Sequence, residues 1–206
     1  PTTDGKHVYA VFGGVGVFCL DMSGDVVWMK TIDPTKTRYG WGFAASPTLH
    51  KDRLYLLNDN DDASSLLALD KTTGEEIWKV ERDEKSNWAT PYVWEHSGET
   101  EIVVPATGRV VSYGLDGKEK WSLSGMSSIT IATPYEHEGL LIVSSGYVGD
   151  PSRQLYAIRP GATGDISLVD EESSNKFIAW SQPTSAPYNP STIAYAGVIY
   201  VLHDRG

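Results

Sequence analysis

The chain has 206 residues, of which 40% are hydrophobic and 11% aromatic, and its formal net charge at pH 7 is −10. This negative charge argues against a nucleic-acid partner, because phosphate binding requires a basic surface. The single cysteine, Cys19, excludes an internal disulfide bond and a multi-cysteine zinc site, and no apolar stretch is long enough to span a membrane.

Short predicted strands begin at the N-terminus, and a turn phrase recurs between the last two strands of each period. In each copy a glycine lies four residues before a tryptophan. The positions that carry the phrase are Asp21, Gly24 and Trp28, then Asp70, Thr73, Gly74 and Trp78, and then Gly117 and Trp121. The tryptophans are 50 and 43 residues apart. A repeat of this length, without helical periodicity, is typical of a β-propeller.

A second recurring feature, usually a Ser/Thr-Pro step, precedes the first strand of each period. It occurs at Pro1, Pro47, Pro91 and Pro134, with a fifth, altered copy at Thr192. We therefore predict an all-β fold, a β-propeller of four-stranded antiparallel blades, with about 4.5 of a total of about seven or eight blades in this segment. The predicted blades cover residues 1–43, 44–87, 88–130 and 131–188, followed by a half-blade at 189–206.

The residues of the recurring phrase have structural explanations. The glycine suits a turn position with positive φ, and the aspartate can accept hydrogen bonds from backbone N–H groups in the turn. The tryptophans can pack between neighbouring blades. Cys19 lies in a column of small residues in the third strand, so we expect it to be a packed side chain rather than a nucleophile. The fourth copy is degenerate, and Trp180 is predicted to take the place of its tryptophan.

With these residues in place, the chain resembles the propellers built on the tryptophan-docking repeat, which are quinoprotein-like (PQQ-like) and have a WD40-like architecture. The second copy carries the resemblance best, with Ala68, Asp70, Thr73, Gly74 and Trp78 at the spacing of the family motif. The first copy is one residue shorter. The third departs from the motif, because glycine replaces its aspartate.

This resemblance implies two alternative functional groups. One group is the pyrroloquinoline-quinone (PQQ) dehydrogenases, which use an eight-bladed ring and a Ca²⁺ ion held by Glu, Asn and Asp. No residue of this chain can be matched to those ligands. The other group contains non-catalytic propellers, including the outer-membrane barrel-assembly lipoprotein. Residues 86–92 and 156–162 resemble the PQQ-like repeat proteins of environmental bacteria, for which the resemblance implies a fold and no activity.

The densest group of oxygen donors is the run that contains Asp59, Asp61 and Asp62, and these are weak candidates for a metal site. The run does not fit an EF-hand loop, because it lacks the glycine and the closing glutamate of that motif. It also falls where a hairpin turn is required, and Asn and Asp are common in turns. We therefore favour a turn over a metal site, and we identify no catalytic residues.

A candidate ligand face follows from propeller geometry, because in each blade the loop after strand two and the loop that enters strand one open on the same face, near the central channel. The aromatic and hydrogen-bonding residues of these loops are Arg38, Tyr39, Trp41, Asn87, Trp88, Ser127, Ser128 and Tyr188. Side chains of this kind are frequent in binding surfaces. An alternative is that Trp41 and Trp88, which precede prolines at matching places, only cap the core.

The sequence predicts a non-catalytic module that binds or scaffolds a protein or small ligand at the bacterial cell envelope. Its predicted location is periplasmic or extracellular, although no leader peptide is visible in this segment. The alternative is a fragment of a PQQ- and calcium-dependent dehydrogenase whose cofactor site lies outside the segment. In either case, we expect that closing the ring requires residues outside the segment or another copy.

Overall fold

The computed structural model describes residues 1–204. Nearly all of its regular structure is β-strand, and the one helical element in that range is the 3₁₀ turn Arg38–Gly40. The chain divides into two compact units, Pro1–Pro91 and a second that begins at Tyr92. The predicted all-β fold is confirmed, and three of the sheets formed by residues 1–204 are four-stranded antiparallel blades.

The first unit contains two four-stranded sheets. The strands of blade 1 are β1 (Thr2–Thr3), β2 (His7–Phe12), β3 (Gly16–Asp21) and β4 (Val26–Thr31). Those of blade 2 are β5 (Thr48–His50), β6 (Arg53–Asn58), β7 (Ser64–Asp70) and β8 (Glu76–Arg82). In both blades the strands pair in chain order, so each strand lies antiparallel to the one before it.

The second unit contains the remaining sheets. The strands of blade 3 are β9 (Tyr92–His96), β10 (Glu99–Pro105), β11 (Arg109–Gly114) and β12 (Glu119–Ser124). Those of blade 4 are β13 (Tyr135–His137), β14 (Leu140–Ser145), β15 (Gln154–Ile158) and β17 (Ile178–Gln182). A two-stranded hairpin follows, formed by β18 (Ile193–Tyr195) and β19 (Val198–Tyr200).

The recurring tryptophan has the same strand register in all four blades. It is paired with a small residue of the third strand, as Cys19 with Trp28, Ala68 with Trp78, Ser112 with Trp121 and Ala157 with Trp180. A register shift follows the small residue in every case. The prediction that Trp180 replaces the missing tryptophan of the fourth copy is confirmed.

The turns of the recurring phrase close as the sequence predicts. Gly24, Gly74 and Gly117 have φ values of 92°, 75° and 81°, in the left-handed region that favours glycine. The Asp70 carboxylate accepts hydrogen bonds from the backbone N–H groups of Thr72 and Thr73 at 2.7 and 2.9 Å. These bonds, with that from Thr73 first, lower the pKa of Asp70.

The third copy closes its turn with a displaced carboxylate. A Cβ at Gly114, where the first two copies have aspartate, would lie 2.8 Å from Asp116 Oδ1. That Asp116 oxygen accepts a hydrogen bond from the Lys118 N–H at 3.2 Å. The aspartate therefore moves two residues along the chain, and glycine leaves room for it.

In the first unit, the tryptophan of one blade lies against the glycine turn of the next. A Cβ added to Gly74 would lie 2.6 Å from Cε3 of Trp28. The indole Nε1 of Trp28 donates a hydrogen bond to the Lys71 carbonyl oxygen at 3.0 Å. Gly74 is therefore needed for its positive φ and also for the close approach of the ring.

The insertion in the fourth copy forms an extra strand on blade 3. Residues Gly164–Asp165 form β16, which pairs parallel with Trp121 and Ser122 of β12. The Ile166 N–H extends this pairing by donating to the Ser122 carbonyl oxygen at 2.9 Å. Blade 3 therefore has five strands, and part of its outer edge is covered.

Each unit has its own hydrophobic core. In the first unit the core includes Tyr9, Leu54 and Cys19, and burial raises the pKa of the Cys19 thiol. The core of the second unit includes Trp94, Trp121 and Ile158. The buried position of Cys19 agrees with the packing role expected for it.

The remaining features of the predicted architecture stay predictions. These are the blade boundaries at 1–43, 44–87, 88–130, 131–188 and 189–206, the total blade number and the manner of ring closure. The last two residues of the predicted half-blade lie outside the described residues. The described part of the chain contains no helix with the length and hydrophobicity that a membrane span requires.

Candidate functional site

Three aromatic rings of the first unit form a ladder, which we call the aromatic ladder: Tyr39, Trp41 and Trp88. The ring centroids of Tyr39 and Trp41 are 5.0 Å apart, and those of Trp41 and Trp88 are 5.5 Å apart. Tyr39 is 65% exposed and Trp41 54%, whereas Trp88 is only 8% exposed. Arg38 extends the ladder, because its Cζ lies 5.2 Å from the centroid of the Tyr39 ring.

The loop that carries the two exposed rings has a tight backbone. Tyr39 has a φ of 58° and is followed by Gly40 and Gly42, with φ values of 68° and 79°. The carbonyl oxygen of Thr37 accepts from the Gly40 N–H at 2.9 Å, and its hydroxyl accepts from the Gly42 N–H at 2.9 Å. The left-handed conformation of a tyrosine is unfavourable, so the surrounding contacts hold it in place.

Carboxylates of the acidic run that follows β6 position this loop through hydrogen bonds. Asp61 Oδ1 accepts from the Ser86 hydroxyl at 2.9 Å, and the Ser86 hydroxyl oxygen in turn accepts from the Arg38 N–H at 2.9 Å. Asp62 Oδ2 accepts from the Lys36 N–H at 2.6 Å. Two of the predicted metal candidates therefore position the segment that leads into the aromatic ladder.

The third metal candidate, Asp59, is part of a buried ion pair. Nε and Nη2 of Arg82 donate to Oδ1 and Oδ2 of Asp59 at 2.8 and 3.0 Å, and both side chains are at most 1% exposed. Asn87 Nδ2 donates to the same carboxylate at 2.5 Å. Because Asn87 directly precedes Trp88, this network holds the base of the ladder, where Trp88 Nε1 also donates to the Gly42 carbonyl oxygen at 2.8 Å.

These carboxylates do not fit a calcium-bound quinone. The two oxygens of Asp59 face the Arg82 guanidinium, and a cation would have to displace a buried positive charge to reach them. Asp61 and Asp62 accept hydrogen bonds from different parts of the loop. In residues 1–204, no three acidic, histidine or cysteine side chains are grouped to hold a metal ion.

A cavity lies beside the ladder. It has a volume of about 560 Å³, and it is lined by Thr35, Lys36, Thr37, Arg38, Tyr39, Gly40, Gly42 and Asp61. Its wall therefore combines an exposed aromatic ring with two basic residues. This combination differs from the average surface of a chain whose net charge is −10.

The remaining candidates for the ligand face lie in the second unit. Ser127 is buried, and its hydroxyl donates to the Ile129 carbonyl oxygen at 3.0 Å. The Ser128 N–H donates to the Asp150 carboxylate. Tyr188 is half-buried, with its ring centroid 5.1 Å from that of Tyr147. The Ser127 side chain therefore faces inward, and Tyr188 belongs to a separate aromatic pair.

Sequence reasoning missed a buried polar cluster in blade 3, centred on Glu101. Its Oε2 accepts from the Ser112 hydroxyl at 2.6 Å and from Trp121 Nε1 at 2.7 Å, while Oε1 lies 3.0 Å from Lys120 Nζ. Burial alone would lower the pKa of Lys120, but Glu99 and Glu101 raise it. The cluster joins three strands of one sheet, and we assign it a structural role.

Comparisons with known proteins agree with this architecture. The family model described as outer membrane protein assembly factor BamB matches residues 1–206. The chain is similar to the crystal structure of BamB from Moraxella catarrhalis, with a TM-score of 0.58 and 16% identity over 87% of this chain and 50% of that one. It is also similar to the quinohemoprotein alcohol dehydrogenase of Comamonas testosteroni, with a TM-score of 0.57 and 15% identity over 94% of this chain and 37% of that one.

A third similar structure is the C-terminal domain of PilY1 from Pseudomonas aeruginosa, with a TM-score of 0.52 and 15% identity over 79% of this chain and 51% of that one. The chain therefore spans about half, or less, of the length of these structures. At such low identity, the likeness shows the fold alone. No curated protein matches the sequence significantly.

Proposed function

We propose a binding function from the premise that the chain belongs to the family described as outer membrane protein assembly factor BamB. The protein acts, in this proposal, as a non-catalytic β-propeller module that binds a protein partner in the bacterial cell envelope. The family description supports both the envelope location and a protein partner, because it names a factor that assembles outer membrane proteins. The aromatic ladder is the proposed contact surface.

One observation carries the proposal: two large exposed rings, Tyr39 and Trp41, contact each other and the buried Trp88 in a tilted arrangement, with interplanar angles of 46° and 48°. Tryptophan, tyrosine and arginine are the residues most enriched among those that dominate binding energy in protein interfaces. All three types lie side by side in this loop, since Arg38 is placed over the Tyr39 ring. Exposing these apolar rings to water costs free energy, and burying them beneath a partner is favourable.

The interactions that hold the aromatic ladder in place also favour binding. The Asp59–Arg82 ion pair and the Asp61–Ser86 hydrogen bond fix both segments that carry the rings. A rigid loop loses little conformational entropy when a partner binds, so more of the contact energy remains as affinity. Aromatic anchors add to this effect, because their side chains have few rotatable bonds.

The alternative is the PQQ- and calcium-dependent dehydrogenase fragment. Its support is the likeness to the quinohemoprotein alcohol dehydrogenase, which concerns the fold. The carboxylates nearest to a calcium ligand set are already engaged by Arg82, Ser86 and Lys36. Titration of the protein with PQQ and Ca²⁺, followed by absorbance, separates the proposals: stoichiometric uptake supports the dehydrogenase and contradicts our proposal.

Site-specific photo-crosslinking in cells tests the contact surface. A photoreactive amino acid replaces Lys36, an exposed residue that lines the cavity beside the ladder and leaves its rings intact. The control carries the same group at Val27, which is 49% exposed on β4. We expect a protein adduct from position 36 that is absent at position 27 and is lost when Trp41→Ala is added. Adducts that do not depend on Trp41 would contradict the proposal.

A further inference from the structure

A second cavity, of about 550 Å³, lies within the second unit and is unrelated to the aromatic ladder. Its base includes Gln154 and Tyr156 of β15 and Ser181 of β17. Its rim includes the acidic side chains Asp170, Glu171 and Glu172, from the exposed segment that precedes β17. The volume is in the range of sites that bind small organic groups.

Strand register places the three polar residues of the base on one face of blade 4. Tyr156 and Ser181 are directly paired across β15 and β17. Gln154 lies two residues before Tyr156, and alternate residues of a strand point to the same side of the sheet. The side chains of the base therefore converge on the cavity.

Three polar atoms at the base, Gln154 Oε1 and the hydroxyl oxygens of Tyr156 and Ser181, make no hydrogen bond within residues 1–204. Tyr156 is only 3% exposed, and within residues 1–204 its hydroxyl makes no hydrogen bond. Ser181 is 9% exposed, and its hydroxyl is likewise unpaired within the described chain. Gln154 Oε1 is buried without a hydrogen-bond partner. The Gln154 oxygen has lost its bonds to water, which is rare in folded proteins, and a ligand that supplies donors would satisfy it together with the two hydroxyls.

The rim determines the charge of that ligand. Three carboxylates, from consecutive residues of one segment, line the opening, and none of the described residues that line the cavity is basic. A cation is attracted to such an opening, and an anion is repelled. A metal ion is disfavoured, because no three acidic, histidine or cysteine side chains of residues 1–204 are grouped to hold one. The base itself offers neutral oxygens that suit N–H donors.

We propose that this cavity binds an organic cation that carries a guanidinium or alkylammonium group. The N–H donors of the group bond to the oxygens of Gln154, Tyr156 and Ser181, and the rim carboxylates stabilise its charge. A guanidinium fits best, since it presents five donors in a fixed plane. Burial raises the pKa of Tyr156, which keeps its hydroxyl neutral at physiological pH.

The probes are butylguanidinium and its neutral isostere butylurea, titrated into the intact protein by calorimetry at low salt. We expect the cation to bind and the urea to bind at least tenfold more weakly. A second pair, N-acetylarginine methylamide and N-acetylcitrulline methylamide, separates two sources of the group. Tighter binding of the arginine derivative indicates a side chain of a protein partner, and tighter binding of butylguanidinium indicates a free cation.

Three variants assign the binding to this cavity. Tyr156→Phe removes only the unpaired hydroxyl and is expected to weaken butylguanidinium binding about three- to tenfold. Glu171→Gln, at an exposed rim position, tests the charge even if Tyr156→Phe does not fold. The matched control is Glu119→Gln, an exposed glutamate of the same unit that does not line the cavity. Equal binding of butylurea, no binding of either cation, or unchanged affinity in Tyr156→Phe and Glu171→Gln overturns the proposal.

Discussion

Replacing Gly74 by alanine tests the contact between a recurring tryptophan and the turn of the next blade. The matched control is Gly24→Ala, because Gly24 occupies the same place in the first copy of the turn. Both glycines have positive φ, 75° at Gly74 and 92° at Gly24. They differ in their surroundings, since a Cβ at Gly24 would meet no atom within 4 Å, whereas one at Gly74 would meet Trp28 at 2.6 Å.

The magnitudes follow from these two environments. The left-handed backbone alone costs a non-glycine residue about 1–2 kcal/mol, and this applies to both variants. At Gly74, the added methyl group forces the Trp28 ring to shift, and overpacking of this kind costs about 1–3 kcal/mol more. The shift also weakens the hydrogen bond from Trp28 Nε1 to the Lys71 carbonyl oxygen. We therefore expect about 2–5 kcal/mol for Gly74→Ala and about 1–2 kcal/mol for Gly24→Ala.

Urea unfolding, followed by circular dichroism, measures the free energy of unfolding of the two variants and the wild type. A double-mutant cycle with Trp28→Leu then isolates the ring contact, and the excess cost of Gly74→Ala is expected to fall by at least about 1 kcal/mol in that background. If Gly74→Ala costs no more than Gly24→Ala, the ring does not constrain the turn, and the packing account of the repeat is wrong.

Two further predictions concern charged residues of the first unit. Asp59→Asn removes the negative charge that faces the buried Arg82 guanidinium, so it is expected to lower the free energy of urea unfolding by about 3–5 kcal/mol, whereas Asp62→Asn, at an exposed position, costs far less. The hydrogen bond from Lys71 Nζ, with those from the His7 and Lys6 N–H groups, holds the pKa of Asp4 well below its usual value of 3.8. The stabilisation by Asp4 is therefore complete above pH 3.8 and is lost as the pH falls from there through the lowered pKa. Unfolding measured between pH 7 and pH 2 should show the difference between wild type and Asp4→Asn shrinking as the pH falls.

These two predictions have clear contrary outcomes. Equal losses of stability for Asp59→Asn and Asp62→Asn would mean that the buried ion pair does not hold the loop. A difference between wild type and Asp4→Asn that persists unchanged to pH 2 would mean that the carboxylate charge is not the source of the stabilisation.

Much of the fold was predictable because the repeat is local. The glycine, the tryptophan and the small residue of the third strand lie close in sequence, and their strand pairing follows from a short turn. Trp180 is the exception, because a long insertion separates it from Ala157, and its pairing was predicted from the pattern of the other three copies. The displaced carboxylate of Asp116 could also be predicted from the local sequence, because glycine at position 114 is accompanied by an aspartate two residues later.

The support of the aromatic ladder was not predictable in the same way. The run with Asp59, Asp61 and Asp62 shows only that acidic residues are close together. Their partners Arg82 and Ser86 lie more than 20 residues away in the sequence, and turn chemistry carries no information about contacts at that distance. The cavity beside Tyr156 was not predictable for a similar reason, since it depends on how an irregular segment lies against the face of a sheet.

The aromatic ladder of Tyr39, Trp41 and Trp88 is the centre of the functional account. The most direct test of its role is a binding titration of the protein with the partner that is crosslinked through the photoreactive group at position 36. We expect Trp41→Ala to weaken the affinity about 30-fold, the effect of losing one dominant interface residue. Val27→Ala, which removes another exposed apolar side chain of the same unit, should leave the affinity unchanged. Equal affinities of wild type and a folded Trp41→Ala variant would contradict the account.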